Sequence, residues 1–312
     1  MPLGSRSLAT DDTHSTPAVA RPSSTLLLLR ESGAEMEVLL VRRHQNMTFM
    51  GGLWVFPGGA LSTADSSDEA LSLLDPRSLG STGPGLPRMR ALDGEPLPER
   101  QCLGLSMAAC RETFEETGVL LAHYEDGRPC SAETSAQLQE QRQRVVEAPT
   151  LFAGMLRQAG LQPSLDQLSY WAHWITPSKS PKRFDTRFFV VAAPVEQPVL
   201  ADAHETVEFT WLTPARAIEA ARSAGMPISP PTLYNLLELQ AAWQRHGSLA
   251  GLLAGEANRP TPAVMPKMVR QDGRTVLIMP WSPDYAAAPG AGGPSGVQFP
   301  SLSRLPAQIQ AV

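Results

Sequence analysis

Cysteine is scarce in this chain. Cys102, Cys110 and Cys130 are the only three in 312 residues, and none forms a Cys-x-x-Cys pair. That sparse, odd count suits a reducing compartment better than a disulfide framework. Positive charge is also short. With 26 Lys and Arg against 31 Asp and Glu, the net charge is -5, so no basic excess points to nucleic acid or an anionic membrane. Long apolar runs are missing: "TLLLL" and "VLLV" are of strand length, far below the ~18 residues of a membrane helix. The N-terminus lacks a basic head followed by a continuous apolar stretch. Arg6 and Arg21 hint at a transit peptide, but Asp11 and Asp12 argue against one. The expected compartment is the cytoplasm.

Proline, by contrast, is abundant, at 29 residues against a usual share of about 5%, which predicts several irregular segments. Residues 1–20 read as a flexible leader. "STLLLLRE", "MEVLLVRRH" and "GGLWVFPGG" read as three strands, the first two joined by a turn. Residues of about 62–102 are rich in Ser, Asp, Pro and Gly and read as an insertion, with a short helix near "SDEALSLL". "LGLSMAACRETFEETGVLLA" reads as a helix stopped by Gly118, with strand signal resuming at Val119 and Leu120. Two helical patterns over 131–160 divide near Pro149. "LSYWAHWITP" and "RFDTRFFVVAAP" read as strands, the second apolar on both faces as in a central strand. "VEFTWLTPARAIEAARSAG" predicts a strand and then a helix opened by Thr213 and Pro214. "PPTLYNLLELQAAWQRHG" is a further helix. Residues 251–312 read as an extension with one hairpin turning at Asp272-Gly273 and a loose stretch from 286 onwards.

The stretch "RETFEETG", residues 111–118, carries the chemistry. At ~100° per residue, Glu112, Glu115 and Glu116 crowd into one arc of about 100°. Bare carboxylates so close repel each other, and they lie towards the helix C-terminus, where negative charge is unfavourable. Both penalties call for a cation. Oxygen-only ligands favour Mg²⁺ or Mn²⁺ over zinc. The alternative is a solvated acidic face. Gly118 directly after the cluster and Arg111 beside it favour the metal site.

"RETFEETGV" resembles the second half of the Nudix box, with Thr113 departing at the first aliphatic position. "FPGG" at 56–59 resembles its first half. The family places that Gly 14 positions before the Arg; here Gly59 and Arg111 are 52 apart, so the box is split by an insertion. Counted back from Arg111, the box's intermediate Glu falls on Leu103, and no carboxylate stands there. The split box, "FMGGLWVFPGG" and "TPSKSPKRFDTRFF" together resemble the coenzyme A diphosphatase subgroup of animals (Nudix type 19) and its bacterial relatives.

The resemblance implies an α+β fold: a Nudix α/β/α sandwich with a mixed sheet over residues 21–250, a long insertion inside the box and extra C-terminal helices. It implies metal-dependent hydrolysis of a nucleoside diphosphate linked to another moiety. The substrate would be coenzyme A or acyl-CoA, giving 3',5'-ADP and (acyl-)4'-phosphopantetheine. ADP-ribose, NADH or another nucleotide is the second reading, since "LLVRR" only partly matches a coenzyme A signature. A non-catalytic Nudix-fold binding protein is the third. Glu115 and Glu116 would be the principal metal ligands, and Glu112 a ligand or the base. Arg111 would orient the carboxylates, while Gly58 and Gly59 let the loop pass close to the helix. "DAHETVEF" offers Glu205 as base or further ligand, with Glu208 and His204 behind it; the alternative is a solvated loop. Arg42 and Arg43 end a strand facing the site. Lys182, Arg183 and Arg187 form either a phosphate patch or a charged loop with an Asp185–Arg187 ion pair. Trp54, Phe56, Trp171 and Trp174 are core aromatics before they are base-stacking ones. Cys102 and Cys110 are expected as buried small hydrophobes. The expected partner is a small-molecule nucleotide diphosphate. A homodimer is compatible with this reading; nucleic acid and membrane are not expected.

Overall fold

The computed structural model describes residues 18–47, 49–74, 89–195, 197–201, 205–223, 225–293 and 306–310. His204, nearly all of the expected leader, the middle of the insertion (75–88) and much of the expected loose stretch (294–305) lie outside the described residues.

The run "TLLLL" explains the architecture. It lies in β1 (Arg21–Ser32), whose side chains alternate between two cores. Leu26 and Leu28 join Leu105, Cys110 and Phe114 of α2 (Glu99–Thr117). Leu27 and Leu29 join Leu236 and Leu239 of α7 (Pro230–His246) and Leu252 of α8 (Leu249–Glu256). A strand apolar on both faces must be covered on both, and the result is the expected α+β sandwich. The mixed sheet has eight strands among the described residues. β8 (Phe184–Ala192) runs parallel along one side of β1, over residues 21–29. On the other side, β2 (Glu35–Arg43) pairs antiparallel with the far end of β1. β7 (Ser169–Ile175) lies beyond β8, and β9 (Thr206–Leu212) pairs with β2. Trp54, Phe56, Trp171 and Trp174 are all buried core residues.

The "GGLWVFPGG" run makes two short strands rather than one. β3 (Trp54–Val55) pairs with β2, and β4 (Gly58–Ala60) crosses over to pair with residues 23–25 of β1. The break falls at Pro57, which has no N–H to donate; its carbonyl instead accepts from Leu26 N at 2.8 Å. This crossing carries Gly58 and Gly59 beneath α2.

Elsewhere the chain departs from the expected pattern in places and completes it in others. Residues 119–121 are buried but form no strand; the amide of Gln197 both donates to and accepts from the Leu120 backbone (3.1 and 2.8 Å), substituting for a neighbouring strand. Strand β5 begins only at Ala122 (Ala122–Tyr124) and pairs with β6 (Leu161–Pro163). The 131–160 segment holds three helices, not two: α3 (Ala132–Gln139), α4 (Arg142–Glu147) and α5 (Leu151–Gln158), the last two separated at Pro149. Helices α1 (Asp68–Leu71) and α6 (Pro214–Arg222) form where expected, the second capped by Thr213. Beyond residue 250, β10 (Ala263–Val264) pairs with β7, at the edge of the main sheet. The hairpin β11 (Lys267–Gln271) and β12 (Arg274–Ile278) turns at Asp272 (φ 50) and Gly273 (φ 75), the two positive φ values of a type I′ turn. β13 (Gln308–Gln310), within the stretch expected to be loose, adds a third strand.

Gly118 ends α2 in the left-handed region at φ 73, with its N–H on the Phe114 carbonyl. A Cβ there would meet Gln139 Nε2 at 3.0 Å, whereas Gly33, also left-handed, has open space around it. Gly33→Ala should therefore cost about 1 kcal/mol and Gly118→Ala measurably more, because Gln139 must also give up its bond to the Gly118 carbonyl. Urea denaturation of the two variants checks this; an equal loss would contradict it.

Candidate active site

Helix α2 holds all three glutamates of the cluster on one side, as its periodicity requires. They face a cavity of about 830 Å³ whose wall also includes Gly58, Gly59, Arg43 and Glu205. Gly59 packs directly on the Glu112 carboxylate, and any Cβ at that position would overlap it. The Gly58 N–H donates to Glu116 Oε2 at 3.1 Å. The two halves of the interrupted motif are thus in contact across the insertion.

Arg111 ties them together. Its side chain is 2% exposed. Nε and Nη2 donate to the two carboxylate oxygens of Asp65 at 2.7 and 2.9 Å, a two-pronged pairing that suits guanidinium. Nη1 donates to Glu112 Oε1 and Glu115 Oε2, both at 2.9 Å, and Nη2 reaches the Ala60 carbonyl at 3.2 Å. Burial works against the charge of Arg111, but the bonds to Asp65 and the charges of Glu112, Asp65 and Glu115 outweigh it and hold the guanidinium protonated.

Asp65 was not among the residues singled out from the sequence. It stands six residues after Gly59, where the box's intermediate carboxylate falls when it is counted forward from Gly59 rather than back from Arg111. Leu103 is therefore not the equivalent position. The insertion opens after Asp65, and Ser62 caps the turn that presents it: Ser62 N donates to Asp65 Oδ2 at 2.8 Å.

The C-terminal end of α2 is neutralised from outside. Arg142 Nε donates to the Glu115 carbonyl (2.7 Å), Thr206 Oγ1 to that of Glu116 (3.0 Å), and Leu200 N to that of Thr117 (2.8 Å). A cation at a helix C-terminus offsets the negative end of its dipole, which helps this helix carry carboxylates there.

The remaining candidates divide. Arg43 and Lys182 line the cavity. Arg43 Nη1 lies 3.9 Å from Glu116 Oε1. Lys182 Nζ stands over the rings of Phe49 and Phe184, at 5.9 and 5.6 Å from their centroids. Arg42, Arg183 and Arg187 do not line it. Arg42 reaches Glu208 at 3.4 Å, since neighbours on a strand face opposite ways. Arg183 donates to the carbonyls of Ala18 (2.7 Å) and Thr176 (3.1 Å). Arg187, 1% exposed, is paired with Asp185 and donates to the Arg90 carbonyl at 2.6 Å. The ion-pair alternative for Asp185 and Arg187 is the one observed. The three cysteines are buried and free.

A family model for the NUDT19 Nudix domain matches residues 7–239. The chain belongs to the Nudix family. Among its curated relatives, the acyl-coenzyme A diphosphatase NUDT19 of Gallus gallus is 32% identical over 66% of this chain and 61% of its own length. The human protein of the same name is 31% identical over 72% and 65%. The matches thus span less than two thirds of these relatives. A NUDIX hydrolase from Alicyclobacillus acidocaldarius has the same fold, with a TM-score of 0.55 at 23% identity over 78% of this chain and 98% of that one.

Nudix hydrolases generally use divalent metal ions. Among the described residues of this Nudix domain, no three His, Cys, Asp or Glu side chains are gathered as a ready ligand set. Arg111 and the Gly58 N–H occupy one oxygen on each helix glutamate. The remaining Glu115 Oε1 and Glu116 Oε1 are buried without any hydrogen-bond partner. Two anionic oxygens in that state are costly, and an oxygen-liganded cation would satisfy both, so the residues fit a hard divalent ion.

Without a cation, burial pushes the Glu115 carboxyl up to about 8 against the pull of Arg111, and Glu112 adds to the rise. Burial likewise raises Glu112 against Arg111, and raises Glu116 well above the ordinary range with Glu112 adding to it. An acid whose folded pKa is raised stabilises the fold fully below its unfolded value, ~4.3, and that contribution is lost as pH climbs through the folded value. Metal-free protein should therefore lose thermal stability between about pH 4 and pH 8. Added Mg²⁺ should raise Tm more at pH 8.5 than at pH 6; an equal or smaller gain at pH 8.5 would contradict this site. Asp65→Ala should cost about 3–5 kcal/mol in chemical denaturation, because it removes the two-pronged partner of a buried guanidinium, whereas a loss below about 1 kcal/mol would remove Asp65 from the network.

Proposed function

We infer that the chain hydrolyses the diphosphate linkage of coenzyme A or its acyl thioesters, releasing 3',5'-ADP and (acyl-)4'-phosphopantetheine. The carrying observation is the carboxylate cluster joined by Arg111 across the split motif and opening on a cavity large enough for a nucleotide with a second moiety. The name of the relatives, acyl-coenzyme A diphosphatase, supports the substrate class.

Glu115 and Glu116 would hold a Mg²⁺ or Mn²⁺ ion through the oxygens that accept no hydrogen bond, with Glu112 completing the set or acting as base. Such an ion supplies the positive charge that a transferring phosphoryl group needs and makes water more acidic. The protein's own groups do the positioning. Arg111 fixes Glu112 and Glu115, and the Gly58 N–H fixes Glu116. Glu205 lines the same cavity and adds to the raised pKa of both Glu112 and Glu116; a carboxylate in that position can take the proton of an attacking water. Lys182 with Phe49 and Phe184, whose rings are 5.1 Å apart, offers an ammonium and two aromatic faces to a nucleotide's phosphate and base. Three free, buried cysteines favour the reducing cytoplasm as compartment.

One observation favours a second reading, ADP-ribose or a dinucleotide such as NADH. Arg183 and Arg187, the residues expected to meet a 3'-phosphate, are bound elsewhere, leaving fewer cations for that group.

Mass analysis of products with Mg²⁺ separates these readings. Coenzyme A should yield 3',5'-ADP, and Glu116→Gln should lower kcat at least about 100-fold with the fold intact by circular dichroism. Cleavage of ADP-ribose alone would overturn the coenzyme A reading. Undiminished turnover in Glu116→Gln would overturn the metal site.

A further inference from the structure

The catalytic cluster occupies only part of the 830 Å³ cavity. A large share of the remaining wall is apolar, and part of it comes from a segment outside the region matched by the family model, residues 7–239. Pro266, Met268 and Leu277, from the β11–β12 hairpin and its approach, line the same cavity as the three glutamates. Met268 and Leu277 are direct cross-strand partners, so both side chains emerge on one face of the hairpin. That face packs into the core shared with Trp174 and Phe188, two residues that also line the cavity. The neighbouring pair, Val269 and Val276, points the other way and packs with Tyr285 and Ala288.

The segments flanking the hairpin are tied down as well. Tyr234 of α7 stacks on Trp174 (5.3 Å) and meets Trp281 edge-on (5.3 Å), and its hydroxyl donates to the Pro306 carbonyl ahead of β13. Tyr285 Oη donates to the Met265 carbonyl at 2.5 Å and accepts from Gly293 N at 2.6 Å. A wall of Met, Leu and Pro offers nothing to a diphosphate or a ribose. It suits a flexible hydrocarbon, and Met in particular adapts to varied apolar shapes.

We propose that the cavity-facing pair Met268 and Leu277 forms the wall that receives the acyl arm of the substrate, so that the C-terminal hairpin sets acyl-chain preference. This rests on the coenzyme A reading above. The diphosphate end stays with the helix glutamates, and apolar burial along the hairpin discriminates between thioesters that differ only in their hydrocarbon.

The test is a chain-length series of acetyl-, octanoyl- and palmitoyl-CoA. Turnover is measured with Mg²⁺, and binding is measured by calorimetry on the Glu116→Gln background. Met268→Ala and Leu277→Ala should each lower the octanoyl-to-acetyl ratio of kcat/KM by about 10-fold, with a matching loss in the ratio of affinities. Met268→Trp, which fills the wall, should lower the palmitoyl-to-acetyl ratio. Val276→Ala, on the opposite face of the hairpin, should leave all these ratios within about twofold and so separates wall contact from loosening of the hairpin. Unchanged ratios in the Met268 and Leu277 variants, or an equal change in Val276→Ala, would overturn the proposal while leaving the diphosphatase reading intact. A parent protein that turns over no coenzyme A species would overturn both.

Discussion

The buried pairing of Arg111 with Asp65 is the constraint on which the site depends. Each side chain is almost fully withdrawn from water, and removing one partner of such a pair leaves the other's charge poorly compensated. Asp65 belongs to the chain just after β4, and Arg111 to the middle of α2. Their pairing fixes how the glycine loop lies against the helix. The rest follows from that contact: Glu112 and Glu115 are oriented by the third guanidinium nitrogen, Gly59 must lack a side chain, and Glu116 takes the Gly58 N–H.

This arrangement explains how a motif tolerates a long interruption. The entropy of closing a loop grows only with the logarithm of its length, so an insertion between Asp65 and α2 costs little once both ends are anchored. The anchors are strong on each side. β4 is hydrogen-bonded to β1, and α2 is packed on β1 through Leu105 and Phe114. The carboxylates then stay crowded in a place where they raise one another's proton affinity, a strained charge distribution typical of sites that bind a cation. Support at the helix C-terminus from Arg142, Thr206 and Leu200 offsets part of that cost.

Much of this was legible in the sequence where one local rule acts alone. The apolar run "TLLLL" gave a strand, the apolar end of "RFDTRFFVVAAP" gave a central one, the Asp272-Gly273 pair gave a hairpin, and the spacing of Glu112, Glu115 and Glu116 gave a common face. What could not be read depended on partners far along the chain. Gln197 satisfies the backbone that a strand at Val119 would have used. Arg183 and Arg187 look like a phosphate patch by composition, but Asp185 and backbone carbonyls claim them. Arg42 and Arg43 look alike, and only strand geometry decides that Arg43 faces the cavity. Asp65 was legible in principle: the six-residue step from Gly59 was there to count, but counting from Arg111 crossed the insertion and landed on an apolar helix position. A split motif has to be read from each end separately.

If the reassembled box binds a divalent cation, the ion should sit on the carboxylate oxygens of Glu115 and Glu116 that accept no hydrogen bond. Anomalous diffraction from crystals soaked in Mn²⁺ measures this directly. The predicted result is a manganese peak within bonding distance of the free carboxylate oxygens of Glu115 and Glu116, with Asp65 still paired to Arg111. A peak elsewhere, or none at saturating Mn²⁺, would contradict it.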